Sequence, residues 1–474
     1  MLRNEKITNF AQFSGWHIRL NHRNTFMSIG IKIKKGLDIN IEGGVASPGK
    51  PVERPTATAA VCPDDFHGFV PKVEVREGDT IKAGAPLLRD KNYPQIKLVS
   101  PVSGTVKAVV RGERRKIERV VIEAAGEDRV VLDHSKVLTD AAAAKDFLLE
   151  SGLWGMTRQR PYDIVTIPDA RLRDIFVTGF DSAPLTVNPS KFDTEEVKAM
   201  EAGVKLLSLL TTGMVYVSRR SGEALPDLKG AEMVDVEGPH PSGNAGTMIA
   251  AVKPVNKGET VMCLDLPTLR RIGAAALTGV VPMDTVVALT GSEVKEPKLV
   301  KTVIGAEVSS IINGDIEADN RHHRVISGNV LTGVKTAMDG YLRWPYRQVT
   351  VIPEGDDVDE FMGWASLSPK KLSTSRSFPG HFLFKKAFNP DARLNGGRRA
   401  MIMSGEYDRV MPMDILPEYL IKAILAKDID RMEQLGIYEV APEDFALAEF
   451  ADTSKLELQK IVREGLDYLR KELS

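Results

Sequence analysis

Hydrophobic positions change period several times along this 474-residue chain. Ile31 and Ile33, then Leu37, Ile39 and Ile41, alternate with polar residues, which predicts a half-buried strand pair around a Lys-Gly turn over Gly30–Gly44. Gly68–Glu123 consists of short β-branched runs between glycine turns at Glu77-Gly78-Asp79, Ala83-Gly84, Ser103-Gly104 and Arg111-Gly112. The period then lengthens. Thr139–Ser151 reads as a helix with Thr139 as its cap and Gly152 as its stop. A strand at Asp174–Gly179, a helix over Thr194–Thr211 and a strand at Met214–Val217 follow. Strand, crossover helix, strand places the two strands parallel in one sheet. Ligands of such sheets bind beyond the carboxyl ends of the strands, where the loop Phe180–Asp193 lies. In the crossover helix Val197, Met200, Val204, Leu207 and Leu210 share one face, and Asp193 and Glu196 have capping-box spacing.

Leu266–Thr278 reads as another helix. Thr285–Ile312 gives a strand, a Gly-Ser turn, a second strand and a helix started at Gly305. Arg324–Pro353 adds strands with Val330, Leu331, Val349 and Val351 as core. The last part holds Phe361–Trp364, a polar stretch at Ser366–Ser377 and a Gly/Asn-rich loop at Asn389–Arg399. Two helical regions close it, Asp414–Leu435 and Ser454–Leu473, the second opened by a capping box Ser454–Glu457.

This length exceeds one ordinary domain and predicts three or four. Net charge is -1, so nothing draws the whole chain to nucleic acid or anionic membrane. No apolar run approaches the roughly 20 residues of a spanning helix; Gly273–Met283 is short and holds Gly279 and Pro282. Cys62 and Cys263 are the only cysteines, read as reduced thiols of a cytoplasmic protein and too few for the four ligands of an iron–sulfur cluster. Residues 1–26 are polar and lack a signal-peptide apolar region, and the compact pattern begins at Met27. Residues 1–26 are read as a disordered or non-native extension.

Candidate chemistry is sparse. Gly68–Glu123 resembles the flattened barrel of biotinyl and lipoyl carriers, with Asp90-Lys91 where a carrier presents its modified lysine. Asn92-Tyr93-Pro94 disturbs the tight turn a modifying ligase reads, and a solvated Lys91 in a docking domain is the plainer reading. Arg111–Arg119 is a charge run, read as a solvated hairpin or as a contact for an acidic partner or lipid headgroups. The loop Gly238–Thr247 is rich in glycine, but Asn244 stands where a phosphate-binding loop needs lysine, and no G-x-G-x-x-G occurs. It reads as a crevice lining with His240 as its titratable group. His322-His323 suggests a metal only until strand geometry sends adjacent side chains to opposite faces. Phe378, Phe382, Phe384 and Phe388 flank His381, as core or as an apolar surface for a membrane partner or quinone.

Residues 285–355 resemble a β-grasp ligand-binding module. Across the chain, KIKKGLD (Lys32–Asp38), SPVSG (Ser100–Gly104), ESGLW (Glu150–Trp154), IFVTGFDSAPL (Ile175–Leu185), LTTGMVYV (Leu210–Val217), GPHPSGNAGT, RVISGNVLTG (Arg324–Gly333), SRSFPGH (Ser375–His381) and YDRVMPMDI (Tyr407–Ile415) occur in one order. Jointly they resemble the A-subunit family of the Na+-translocating NADH:quinone oxidoreductase, Na+-NQR. The resemblance implies a peripheral subunit on the cytoplasmic face of a six-subunit membrane complex that oxidises NADH, reduces quinone and exports Na+. It implies that NADH, flavins, iron and Na+ belong to partner subunits, and that the neighbour in the complex is the membrane-embedded B subunit. It further implies a domain order similar to the flavin-bearing subunit of complex I. Where those relatives carry a GRGGAGFP-type loop this chain has GLWGMTRQRP (Gly152–Pro161), whose Trp154, Met156 and Arg158 block the close approach flavin phosphate needs.

The expected architecture is α/β and multidomain. An extension (1–26) and a β segment (27–67) precede a lipoyl/biotinyl-like barrel (68–128). A Rossmann-like α/β domain (129–284), a β-grasp, SLBB-like domain (285–355) and a C-terminal helical region (356–474) follow. The expected function is a scaffold or quinone-side subunit with no tightly bound redox centre or metal, quinone being its one possible ligand. The alternatives are a flavin- and NADH-binding electron-input module and a carrier using Lys91. Candidate quinone contacts are Asp181, Ser182 and His240 in the crevice loops, and Phe378 and His381 in the aromatic region.

Overall fold

The computed structural model describes residues 17–23, 26–316, 322–356, 368–369, 371–374, 379–383 and 386–473. Strands β1 (His17–Arg23) and β2 (Phe26–Lys32) form an antiparallel hairpin. Residues 17–23, read from sequence as part of an extension, thus pair with β2. The strand pair expected over Gly30–Gly44 does not form. The chain turns at Gly36, φ 137°, where a Cβ would lie 2.2 Å from the His240 carbonyl oxygen. Ile39 and Ile41 then bury against the C-terminal helices. Their alternation reports burial on helices, with pairing limited to one parallel bridge between Ile41 and Phe388.

Strand β3 (Val52–Glu53) leaves for a distant sheet. Strands β4 (Thr58–Val61), β5 (Pro71–Val73), β6 (Thr80–Ile81), β7 (Pro86–Asp90), β8 (Lys97–Val99), β9 (Gly104–Arg111) and β10 (Ile117–Ala124) make two small antiparallel sheets, β4-β10-β9-β6 and β5-β7-β8. Leu87, Leu88, Leu98, Val106, Val120 and Ile122 fill the space they share. The barrel therefore takes in β4, ahead of the expected boundary at residue 68.

Helix α1 (Ala141–Glu150) is capped by Asp140, one residue later than expected, whose carboxylate accepts from the N–H groups of Ala142 and Ala143. Then come β11 (Arg158–Arg160), β12 (Ile164–Val165), β13 (Leu172–Thr178), α2 (Thr194–Ser208), β14 (Val215–Arg220), β15 (Glu232–Glu237), α3 (Ala245–Val252), β16 (Thr260–Asp265) and α4 (Leu266–Thr278). The capping box Asp193–Glu196 forms on α2. The sheet order is β1-β2-β15-β14-β13-β16-β11-β12, parallel from β2 through β16. From β13 the chain winds outward through β14 and β15, then returns to β16 on the other side. The topological switch point therefore lies between β13 and β16. Helices α2 and α4 cross so closely that a Cβ at Gly273 would lie 1.6 Å from the Ala199 carbonyl oxygen.

Strands β17 (Asp284–Thr290) and β18 (Lys298–Val303), helix α5 (Val308–Ile312), and strands β19 (His323–Ser327), β20 (Val334–Thr336) and β21 (Gln348–Pro353) form a sheet of order β20-β19-β21-β17-β18-β3. Gly305 does not start α5. It makes a left-handed turn against Ala60, and the helix begins after Glu307. Val349 and Val351 are core as expected, while Val330 and Leu331 are half-buried against the C-terminal helices.

Helices α6 (Glu406–Val410), α7 (Pro417–Leu425), α8 (Ile429–Gln434), α9 (Ala446–Ala451) and α10 (Leu458–Leu473) pack around Tyr407, Leu420, Met432, Phe445, Val462 and Leu466. The region expected as one helix over Asp414–Leu435 is two. Lys427 takes a left-handed turn, and Asp428 caps α8 through the Arg431 N–H. The capping box at Ser454 is not used. Its hydroxyl donates to the Ala400 carbonyl, and α10 starts at Leu458.

Candidate functional site

The loops after β13 and β15 meet at the carboxyl end of the parallel sheet. Asp181 and Ser182 follow β13, and Gly238–Asn244 follows β15 and leads into α3. Ser182 Oγ lies 3.0 Å from His240 Nδ1 and accepts from the Gly243 N–H at 2.9 Å. Gly243 is needed for that approach, since a Cβ there would lie 2.7 Å from the Ser182 nitrogen. The glycine-rich loop thus serves a contact between two loops. The backbone of His240 is clamped as well: its N–H donates to Asp38 at 2.9 Å, and its carbonyl accepts from the Leu37 N–H at 2.8 Å. The Asp181 carboxylate accepts from the Ala183 N–H at 2.8 Å, while its backbone N–H donates to the Asn188 side-chain oxygen at 2.9 Å and its carbonyl accepts from the Asn188 amide at 2.9 Å.

His240 is 4% exposed, and its Nε2 has no protein partner among the described residues. Burial holds the imidazole below its usual range, with Asp181 and Asp38 opposing. The ring is therefore neutral. When the Ser182 hydroxyl donates to Nδ1, the ring proton resides on Nε2, a free donor for a carbonyl oxygen.

A second polar cluster joins the α/β domain to the C-terminal helices. Arg160 on β11 is 1% exposed and donates to Asp444 at 3.0 Å and Glu443 at 3.1 Å. Asp444 also accepts from the Ala441 N–H at 2.8 Å. Its carboxylate lies over the first turn of α3, where a Cβ on Gly246 would come within 2.5 Å of both oxygens. Burial alone would depress the Arg160 guanidinium, but Asp444, Asp163 and Glu443 outweigh it and hold it above the arginine range. Arg463 reaches Asp163 from α10 through the Asp163 carbonyl at 3.1 Å. The segment Gly152–Pro161 lines this region. Trp154 is buried with its indole N–H on the Thr166 carbonyl at 2.7 Å.

The remaining predicted residues scatter. Phe378 lies outside the described residues, and His381 falls in the short helix Pro379–Leu383, where Phe382 is exposed. Phe388 is core and bridges to Ile41. Lys91 is exposed, and the Asp90 carboxylate holds its turn through the N–H groups of Val70, Asn92 and Tyr93. His322 precedes β19 and pairs with Asp356 at 3.0 Å, His323 pairs with Glu293 at 2.9 Å, and both line one surface pocket, so the expected separation to opposite faces of a strand does not apply. Cys62 and Cys263 are buried free thiols, each pushed up to about 12 chiefly by burial. Among the described residues no three His, Cys, Asp or Glu side chains gather into a metal-binding group, and no helix is long and apolar enough to cross a membrane. Arg160 and Asp444 were not identified from the sequence, since each stands beside other polar or charged residues, Gln159 and Glu443, and carries no local signal of burial.

Three family models match. One described as the NqrA N-terminal barrel-sandwich hybrid domain covers residues 31–125, the NqrA second alpha/beta domain covers 139–281, and the NQRA C-terminal domain covers 286–337. The chain is 37% identical over 454 residues to the A subunit of the Na(+)-translocating NADH-quinone reductase of Neisseria meningitidis serogroup C, covering 93% of this chain and 100% of that protein. The corresponding protein of Vibrio anguillarum is 37% identical over 452 residues, with 93% and 100% covered. Among solved structures, an NAD+-reducing NiFe hydrogenase in the air-oxidized state shares 12% identity at a TM-score of 0.33. That match covers 72% of this chain and 62% of the hydrogenase chain, and at that score it carries no weight.

Proposed function

The chain belongs to the family of Na(+)-translocating NADH-quinone reductase A subunits, and we propose that it works as a peripheral subunit on the cytoplasmic face of such a complex. In this reading it is a scaffold on the quinone-reducing side, seated against the membrane-embedded B subunit, with flavins, iron, NADH and Na+ handled by partner subunits. The observation that carries the reading is the filling of Gly152–Pro161. Trp154 and Arg160 are buried there, bonded to this chain's own groups. A flavin phosphate needs bare backbone N–H groups at such a place.

Quinone contact is assigned to the crevice of Ser182 and His240. A neutral imidazole with Nε2–H unspent suits a quinone carbonyl oxygen, and Ser182 fixes the ring through Nδ1. Asp181 shapes the loop and is not itself a donor. Photoaffinity labelling of the assembled complex with a quinone analogue tests this. Label is expected on peptides holding Asp181–Ser182 or His240, and label confined to other subunits rejects the quinone role. Flavin or iron at one per purified chain overturns the scaffold role.

A further inference from the structure

A cavity of about 10 Å³ lies between the start of α4 and the β-grasp domain, whose loop 342–347 lines its far side. Asp265, which ends β16 and caps α4, forms part of its wall. Arg271, Arg343 and Arg347 all line it. Two of these have carboxylate partners: Arg343 pairs with Asp65 at 2.6 Å and Arg347 with Asp265 at 3.5 Å. Asp265 is shared, since it also accepts from the Thr268 N–H at 2.9 Å.

Arg271 differs. It is 5% exposed and makes no ion pair among the described residues. Its Nε donates to the Pro282 carbonyl at 2.6 Å and Nη2 to the Asp284 carbonyl at 2.9 Å. Nη1 donates to no protein acceptor among the described residues. Carbonyl dipoles satisfy donors but do not neutralise a buried charge, and burial accordingly brings the guanidinium down to about 10, against Asp265 and Asp284. Three guanidinium groups and one carboxylate, Asp265, line the cavity, at the positive end of a 13-residue helix. The space suits one small guest and no quinone-sized ring.

We propose that this cavity binds a small inorganic anion of halide size, which completes the charge of Arg271 and pins α4 to the β-grasp loop. Bromide is the test ion. In crystals of the full chain grown with bromide replacing chloride, an anomalous peak is expected against Arg271 and Arg347. A water-sized feature without anomalous signal overturns the proposal. In solution, Tm is expected to be higher in sodium chloride than in sodium gluconate at equal ionic strength, and to rise with chloride concentration. Arg271→Met should abolish the difference. Arg347→Gln, at a partly exposed residue that leaves the fold intact, should at least halve it, while Lys107→Gln on the barrel surface should leave it unchanged. An anion effect of equal size in wild type and Arg347→Gln overturns the assignment, as does a wild-type Tm indifferent to the anion.

Discussion

Replacing Asp444 by asparagine removes one charge from a pair that water does not reach. The Arg160 and Asp444 side chains are 1% and 2% exposed and meet at 3.0 Å. Asparagine keeps the shape and can still accept from the Ala441 N–H, so the change isolates the charge. Removing one partner of a buried pair costs about 3–5 kcal/mol, because the other charge stays buried without compensation. Glu443 remains 3.1 Å from Arg160, with its side chain 41% exposed, and supplies part of the field. The lower end, about 3 kcal/mol, is therefore expected. At a urea slope of about 3 kcal/mol/M this lowers the unfolding midpoint by about 1 M, readable in the fluorescence of buried Trp154. Glu443→Gln, at the half-exposed partner, should cost about 1 kcal/mol or less. Arg160→Met combined with Asp444→Asn should cost less than the two singles added, since no lone charge is left behind. Additive costs, or an Asp444→Asn midpoint indistinguishable from wild type, would refute the assignment of this pair as the clamp between the two domains.

Other perturbations follow from equally local features. Gly273→Ala would normally favour a helix by about 1 kcal/mol; here its Cβ meets the Ala199 carbonyl at 1.6 Å, so Tm should fall, and an unchanged or raised Tm contradicts the close α2–α4 crossing. Arg324 and then Lys335 hold the Glu354 carboxylate down to about 2, so its stabilisation is full above its ordinary 4.5 and lost as pH falls toward 2. Glu354→Gln should flatten the acid limb of Tm against pH in that window, and an unaltered limb would dismiss the pairing. Burial lowers His240, so the unfolded ring takes up a proton near 6.5 while the folded ring stays neutral. Stability should therefore decline as pH drops below 6.5, and His240→Gln should remove that slope; persistence of the full slope would exonerate His240.

What could be read from the sequence was whatever depends on near neighbours or on sheet topology. The Asp193–Glu196 box and the strand–helix–strand order around α2 are local, and both formed. Ser182 and His240 are 58 residues apart, yet both loops could be placed at the carboxyl end of one parallel sheet, and there they meet. Long-range pairing left no such mark. Arg160 and Asp444 are 284 positions apart, and neither belongs to a patterned motif. Ile39 and Ile41 show strand alternation while burying on helices, because period 2 records which residues are covered and not by what. Ser454 has the spacing of a cap, but the Ala400 carbonyl offered its hydroxyl an acceptor and the helix began later. Arg271 sits among mostly apolar buried residues of α4, and its burial is visible only once the β-grasp loop lies against the start of that helix.

The loop Gly238–Thr247 ties the crevice to the domain junction. A glycine-rich turn before a helix suggests phosphate because bare backbone lets an anion reach the first N–H groups. Two of its glycines do permit close approach, but to groups of this chain. Gly243 admits Ser182, and Gly246 admits the carboxylate of Asp444. The second is chemically the more telling, since the group packed against the first turn of α3 is a carboxylate supplied by the C-terminal region. Arg160 and the Ala441 N–H both bind that carboxylate through Oδ2, while its Oδ1 is buried with no hydrogen-bond partner among the described residues. The same short loop carries His240, so the ring proposed to meet a ligand and the clamp on the C-terminal helices share one backbone segment of seven residues, from His240 to Gly246. A displacement of Asp444 must be absorbed by α3 or passed back along this segment to the Ser182–His240 pair. In the proposed scaffold reading, the His240 donor is positioned through the domain junction, which would tie ligand contact to assembly.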